Sequence, residues 1–314
     1  MINTARHTTA EAEPTVDRLS KASARRVIEP DVELVGSIGP GQIMPDELLS
    51  IASLNLDLTP EQRATLSREE LASIISEGIR FESLLMAGMA MAMAQTEKLA
   101  DSRVTYALHE IGEETRHSRM FVRLLHQIEP VAVSPFEHGI RGMGKRWLLR
   151  HLINYPALFC VLVLAGEEIP DLIQKRTSEH PDTDEFVRAV NKYHRLEEAR
   201  HLAFARTVFP ELWANSDYIQ RWRVRHLAPV VVEAMFAILI HPGVYETIGL
   251  PKWSTWRKAQ LSPHMVKLRQ DATRPILATL LKDGAIKAGH VPPAWRWLTG
   301  TDRKGQPKAA PAAA

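Results

Sequence analysis

The sequence predicts an all-α fold, a four-helix bundle with additional helices, and three observations carry that reading. Apolar residues recur at spacings of three and four through most of the chain. No run of β-branched residues alternates as an exposed strand would. Gly and Pro gather at the junctions between four long periodic segments, which pair as two hairpins.

The first long helix is expected to start near Thr59-Pro60-Glu61, with Thr59 as N-cap and Pro60 at the first helical position. It runs to about Leu99 unless a break near Ser67 splits it. The second is capped by Asp101 or Ser102 and stops at Pro130. The third covers Tyr155 to Arg176, with a kink at Pro170. The fourth starts at the capping cluster Pro181-Asp182-Thr183 and ends before Pro210. Further helices are expected over 216–240 and 274–288. Residues 1–35 read as a mostly disordered N-terminal segment, 36–300 as a single helical domain, and 301–314 as a disordered, low-complexity tail.

Composition narrows the chemistry. The 314 residues are 45% hydrophobic and 24% charged, which excludes global disorder. One cysteine, Cys160, excludes intramolecular disulfides, cysteine-based zinc sites and cysteine-ligated iron–sulfur clusters. A bound metal must therefore be held by carboxylate and imidazole, and 13 His are available. The N-terminus lacks the apolar run of a secretory signal. The longest apolar run, Tyr155 to Ala165, is too short to cross a bilayer. A cytoplasmic protein is expected, with neither a nucleic-acid nor a membrane partner. The net charge of +2 hides an asymmetry: residues 221–314 hold 15 Lys/Arg against 5 Asp/Glu, and residues 1–220 hold 24 against 32. The basic end reads as a solvated surface, or as a feature that attracts an anionic substrate.

The most informative feature is a stripe on the fourth helix: Val187, Val190, His194, Glu198, His201, Ala205, Val208. It begins and ends apolar, yet its centre is His, Glu, His, within about 60° of one another at 100° per residue. A buried unpaired Glu costs several kcal/mol, so such a face needs a strong partner. The second helix repeats the device with Ile111, Glu114, His117 and Phe121, and the first places Glu82 in its apolar stripe. Glu77 competes with Glu82 but lies with Glu70, Ser73 and Arg80, a face suited to a solvated carboxylate. Glu113 likewise falls with Tyr106, Glu110 and Arg116 on a more polar face. In the third helix Glu167-Glu168 closes an apolar run; spacing favours Glu167, although periodicity alone does not decide between them.

Both Glu-x-x-His sequences of the chain sit inside Glu-Glu-x-Arg-His, at 113–117 and 197–201. Each follows an upstream acid at a matching distance: Glu82 precedes Glu114 by 32 residues, and Glu167 precedes Glu198 by 31. A buried Glu–Arg/His network using Arg116 and Arg200 is the bland alternative, and it leaves the duplication unexplained. Four carboxylates and two His on four helices match the ligand pattern of di-iron and di-manganese bundles. Hard carboxylate oxygens nearly neutralise two divalent cations, and imidazole suits iron.

At these residues the chain resembles the ferritin-like carboxylate-bridged di-iron superfamily. Within it, the third histidine of His194-x-x-x-Glu198-x-x-His201 resembles the AurF-like p-aminobenzoate N-oxygenase family. The resemblance covers residues 60–210 by motif. It implies the metal ligands Glu82, Glu114, His117, Glu167, His194, Glu198 and His201, with His194 as a packing neighbour being the alternative. It further implies two iron ions (manganese being the other candidate) and O₂ as co-substrate. The expected activity is that of a di-iron monooxygenase: a peroxo-bridged diferric species oxidises a small substrate, here an arylamine at nitrogen. The expected partners are that small molecule, anionic or an aromatic amine, an electron donor, and a second copy of the chain in a homodimer. Ferroxidase-like metal binding, or oxidation of C–H bonds, are the competing functions. The run Met86-Ala-Gly-Met89-Ala-Met91-Ala-Met93 is expected to pack in the core beside Glu82, its other reading being an adaptable pocket wall.

Overall fold

The computed structural model describes residues 12–25, 27–137 and 151–308. Four long helices build the molecule. Helix α3 (Pro60–Ala94) opens on a capping box, in which Thr59 Oγ1 accepts from the Gln62 amide at 3.2 Å and Gln62 Oε1 accepts from the Thr59 amide at 3.0 Å. It passes through Ser67 unbroken, because Ser67 Oγ donates to the Ala64 carbonyl and accepts from the Ile43 amide. Helix α4 (Ser102–Ile128) is capped by Asp101 and ends on Glu129 in the left-handed region. Helix α5 (Pro156–Glu179) and helix α6 (Glu185–Ala214) complete the set, α6 being capped by Asp184 one residue beyond the expected cluster.

These four helices pack as the hairpins α3/α4 and α5/α6, with α3 against α5 and α4 against α6. The fold is the all-α, ferritin-like bundle with additional helices, and the described residues contain no strand beyond one isolated bridge. Helix α6 runs through Pro210, where an end was expected. Pro210 removes one ladder hydrogen bond, and burial of Phe209 and Trp213 holds the segment helical.

Short helices surround the bundle. They are α1 (Ala12–Arg25), α2 (Pro30–Glu33), α7 (Tyr218–His226), α8 (Ala228–Ile238), α9 (Gly243–Glu246), α10 (Lys252–Leu261), α11 (Pro263–Lys282) and α12 (Pro293–Thr299). The single helix expected over 216–240 is two, broken at Leu227 before Pro229, and the helix expected over 274–288 lies at α11. Ala228–Glu246 is long and apolar enough to span a membrane by composition, and 67% of its apolar window is buried inside the fold.

The N-terminal segment departs from the expected disorder. Val16 and Leu19 of α1 pack with Tyr106 of α4, giving a polar, Ala-rich sequence one apolar face to bury. Residues 301–308 are likewise held, by a bridge between Thr301 and Pro307 and a bond from the Lys308 amide to the Gly300 carbonyl at 3.0 Å. Residues 1–11 and 309–314, where disorder was also expected, lie outside the described residues. The Met-rich run departs too: Met89 packs on the core, while Met91 points outward at 47% exposure.

Candidate metal centre

All seven predicted ligand side chains are buried and meet at the middle of the bundle. Donor atoms of Glu82, His117 and His194 lie within 4.8 Å of one another, and so do those of Glu114, Glu167, Glu198 and His201. Two carboxylates join the sets. Glu114 places one oxygen 3.3 Å from Nδ1 of His117 and the other 3.1 Å from Nδ1 of His201. Glu198 places Oε1 3.1 Å from His117 Nδ1 and 3.2 Å from His194 Nε2, and Oε2 3.0 Å from His201 Nδ1. Glu114 and Glu198 thus each contact histidines of both donor sets, while Glu82 belongs to one set and Glu167 to the other.

The competing glutamates have other occupations. Glu168 turns away and pairs with Arg206. Glu77 pairs with Arg80 at 3.1 Å and belongs to neither donor set. The face it shares with Glu70 and Ser73 is not solvated as expected but buried. Elements after the bundle cover it: Ser73 Oγ donates to the Leu239 carbonyl at 2.6 Å, and Ser50 joins Glu70 to Tyr245 of α9.

Each imidazole is aimed by a second bond. Nε2 of His117 donates to Glu197 at 3.0 Å, and Nε2 of His201 donates to Glu113 at 2.8 Å. Arg116 in turn holds Glu197 at 3.3 Å, and Arg200 holds Glu113 at 2.7 Å. The two Glu-Glu-x-Arg-His segments thus lock crosswise, each giving its first Glu to the other's His and its Arg to the other's first Glu. The expected polar face of Glu113 is sealed by α1, whose Ser23 accepts from Arg200 at 3.1 Å. His194 uses the opposite tautomer: Nδ1 donates to Gln174 at 2.9 Å, leaving Nε2 toward the centre. Ser118 donates to Glu82 at 2.6 Å. Sequence reasoning passed over Gln174, although it lies two turns after Glu167 on the same face.

Electrostatics at the centre are governed by burial and by the close approach of carboxylates to imidazoles. Burial opposes the charge on His117 and His201, yet the surrounding glutamates hold both pKa values well above the ordinary imidazole range. Burial raises Glu82 and Glu167, and Glu198 pushes Glu167 further. Glu198 itself stays well below its usual range, since His201 and His194 outweigh burial. Four carboxylates and three imidazoles without a thiolate form a donor set suited to iron or manganese.

The centre opens on one side to an apolar cavity of about 120 Å³, whose walls include Glu82, Glu167, His194 and Glu198 together with Phe81, Phe121 and Leu162. Val231, Met235, Ile238 and Leu239 from the later helices also line it, all apolar, so the basic end of the sequence supplies no anchor among the described residues. The basic side chain on this wall is Arg80 of α3.

A family model described as p-aminobenzoate N-oxygenase AurF matches residues 9–284. The chain belongs to the AurF family. That family is one of di-iron oxygenases, and both carboxylate–histidine donor sets lie inside the matched region. Two similar curated proteins are the uncharacterized proteins Rv0885 of Mycobacterium tuberculosis H37Rv and Mb0909 of Mycobacterium bovis. Each is 26% identical over 205 residues, 61% of this chain and 56% of the relative. The chain thus spans a little over half the length of these relatives.

Proposed function

We propose that this AurF-family oxygenase binds two iron ions through Glu82, Glu114, His117, Glu167, His194, Glu198 and His201 and oxidises a small amine, of the arylamine class, at nitrogen. The observation that carries the proposal is the junction of two donor sets by Glu114 and Glu198 at the wall of an apolar cavity. When bound, the metal pair supplies the redox equivalents and the coordination position for O₂. The protein's own groups do the rest. Glu113 and Glu197 fix the tautomer and direction of His201 and His117, and Gln174 does so for His194. Phe81, Phe121 and Leu162 keep the cavity dry and hold an aromatic ring against the Glu82 and His194 end. A ferroxidase needs only a path for iron; an apolar chamber lined by the donor residues favours an organic substrate.

On this reading the enzyme is cytoplasmic, works as a homodimer, and takes electrons from a separate donor. The test is to load the full chain with iron, reduce it, and expose it to O₂ with p-aminobenzoate or a related arylamine. Two irons per chain and a hydroxylamino, nitroso or nitro product are expected. Bound iron that yields only hydrolysed iron, with every arylamine recovered unchanged, would sink the proposal.

A further inference from the structure

A second and larger cavity, of about 240 Å³, lies between α3, α4, α5 and α6, and none of the seven proposed ligands lines it. Leu85, Met89, Phe159, Val163 and Phe204 make its walls apolar. Phe159 is shared with the cavity at the metal centre; a Cβ at Gly88 would meet its Cε1 at 2.6 Å, so a glycine is what lets the ring lie against α3. The cavity follows α4 from Arg103 to Glu110, about 10 Å, and Glu110 stands one turn before Glu114.

Glu110 is the unusual group. It is 1% exposed, and neither carboxyl oxygen has a hydrogen-bond partner. Every other carboxylate nearby has an answer. Glu82, Glu114 and Glu198 lie within 3.3 Å of histidine nitrogens, Glu167 faces Glu198, Glu113 answers Arg200 and His201, Glu197 answers Arg116 and His117, and Glu211 forms a two-pronged pair with Arg103 at 2.9 and 2.6 Å. Glu110 is left over, buried at the wall of an apolar space. Burial pushes its carboxyl up to about 8. A buried acid without a partner costs free energy that natural folds rarely leave uncompensated.

We propose that this cavity is a second small-molecule site, for an apolar primary amine whose ammonium group pairs with Glu110. The apolar walls accept the hydrocarbon part, and the one unpartnered carboxyl accepts the cation. An alcohol of the same shape would fill the space without supplying the charge. Arg103, already paired with Glu211, leaves no free cation among the described residues to draw a carboxylic acid into this cavity. The proposal does not depend on the oxygenase reading, since it concerns side chains outside both donor sets.

The test is isothermal titration calorimetry on the full-length protein as purified, with n-hexylamine and n-hexanol as matched probes. Hexylamine is expected to bind one to one and at least tenfold more tightly than hexanol. Glu110→Gln should lower hexylamine affinity at least tenfold and leave hexanol unchanged, with an unaltered circular-dichroism spectrum. Ala92→Phe, at a half-buried wall position of this cavity alone, should weaken both probes, and it decides the matter if the Glu110 variant fails to fold. Equal affinity for the two probes, hexylamine binding unchanged by either variant, or no binding at all, which would make the cavity a water site, would each overturn the proposal.

Discussion

Glu113 on α4 accepts a hydrogen bond from Nε2 of His201 on α6 at 2.8 Å, while its neighbour Glu114 lies 3.1 Å from the other nitrogen of the same ring. Two consecutive residues of one helix thus grip both edges of an imidazole on another. Glu197 and Glu198 do the same to His117, at 3.0 and 3.1 Å. The first Glu of each pair carries a carboxylate whose pKa is lowered, to about 2 for Glu113, because His201 and Arg200 outweigh the burial that opposes its charge.

The first prediction follows from that grip. Glu113→Gln and Glu197→Gln keep shape but give up the charge that orients the imidazole and makes it a stronger base. Metal affinity should fall ~10- to 100-fold in each, as is usual when such supporting acids are removed. Competition against a coloured chelator measures it. Affinity equal to the parent's in both variants would reduce the crossed pairs to packing.

Gln174 should act on one metal only. Its Oε1 is the acceptor for Nδ1 of His194, and His194 belongs to the donor set of Glu82 and His117. Gln174→Leu should therefore lower the stoichiometry from two metals toward one, as should His194→Ala. Gln174→Glu, which keeps an acceptor oxygen, should restore the second metal. Two tightly held metals in all three variants would mean that His194 is not a ligand.

What the sequence disclosed follows from how local the cause is. Helix starts were legible at Thr59 and Asp101 because a cap acts within its own first turn. Six of the seven candidate ligands stood out because a Glu or His inside an apolar stripe breaks a local period, whereas Glu167, after a run that is apolar all round, was favoured by its spacing from Glu198. Glu77, Glu70 and Glu113 misled for the converse reason. Their faces are polar in the stripe, and segments distant in sequence bury them: Leu239 and α9 over α3, and α1 over Glu113 and Arg200. Nor does period reveal that the basic end contributes apolar side chains to the cavity at the centre, since that depends on how α8 docks.

Glu70 makes a prediction about pH. It is fully buried, accepts bonds from the amide and hydroxyl of Ser50, and has its pKa raised by burial from 4.5 to about 7. Between these values the unfolded chain has lost the proton and the folded chain keeps it. Stability contributed by this group is therefore intact below 4.5, declines as pH rises toward 7, and stays lost above. Glu70→Gln removes the penalty. Its advantage over the parent should be near zero at pH 4.5 and approach about 3 kcal/mol above pH 8. Chemical denaturation at the two pH values measures the difference, and a variant equally or less stable at high pH contradicts the assignment.

The centre itself should exchange protons for metal. With His117 and His201 raised above 6.5, their stabilising charge in the metal-free chain is fully present below that pH and is lost as pH climbs through the folded-state values. Glu167, raised by burial, adds to the decline above 4.5. The metal-free melting temperature should therefore fall from pH 6 to pH 9, and the metal-loaded one should fall less. Metal uptake at pH 7 in weak buffer should release protons, visible with an indicator dye. Uptake without release would mean that the imidazoles and Glu167 had already given up their protons.

Gly166 and Phe81 provide the sharpest test of how the helices meet. Each precedes a proposed ligand, Glu167 and Glu82, and a Cβ at Gly166 would overlap the Phe81 ring. The glycine is thus a notch on α5 that receives a ring from α3, each residue being next in sequence to a carboxylate of a different donor set. Gly166→Ala must push the ring into the cavity or the helices apart, at a cost of ~1–3 kcal/mol. In a Phe81→Ala background the notch is empty, and the same substitution should become neutral or gain the ~1 kcal/mol by which Ala exceeds Gly in a helix. A double-mutant cycle on melting data isolates this coupling. A negative result is also clear: if Gly166→Ala costs the same with and without the ring, Phe81 does not occupy the notch, and the spacing of Glu82 and Glu167 is set by something else.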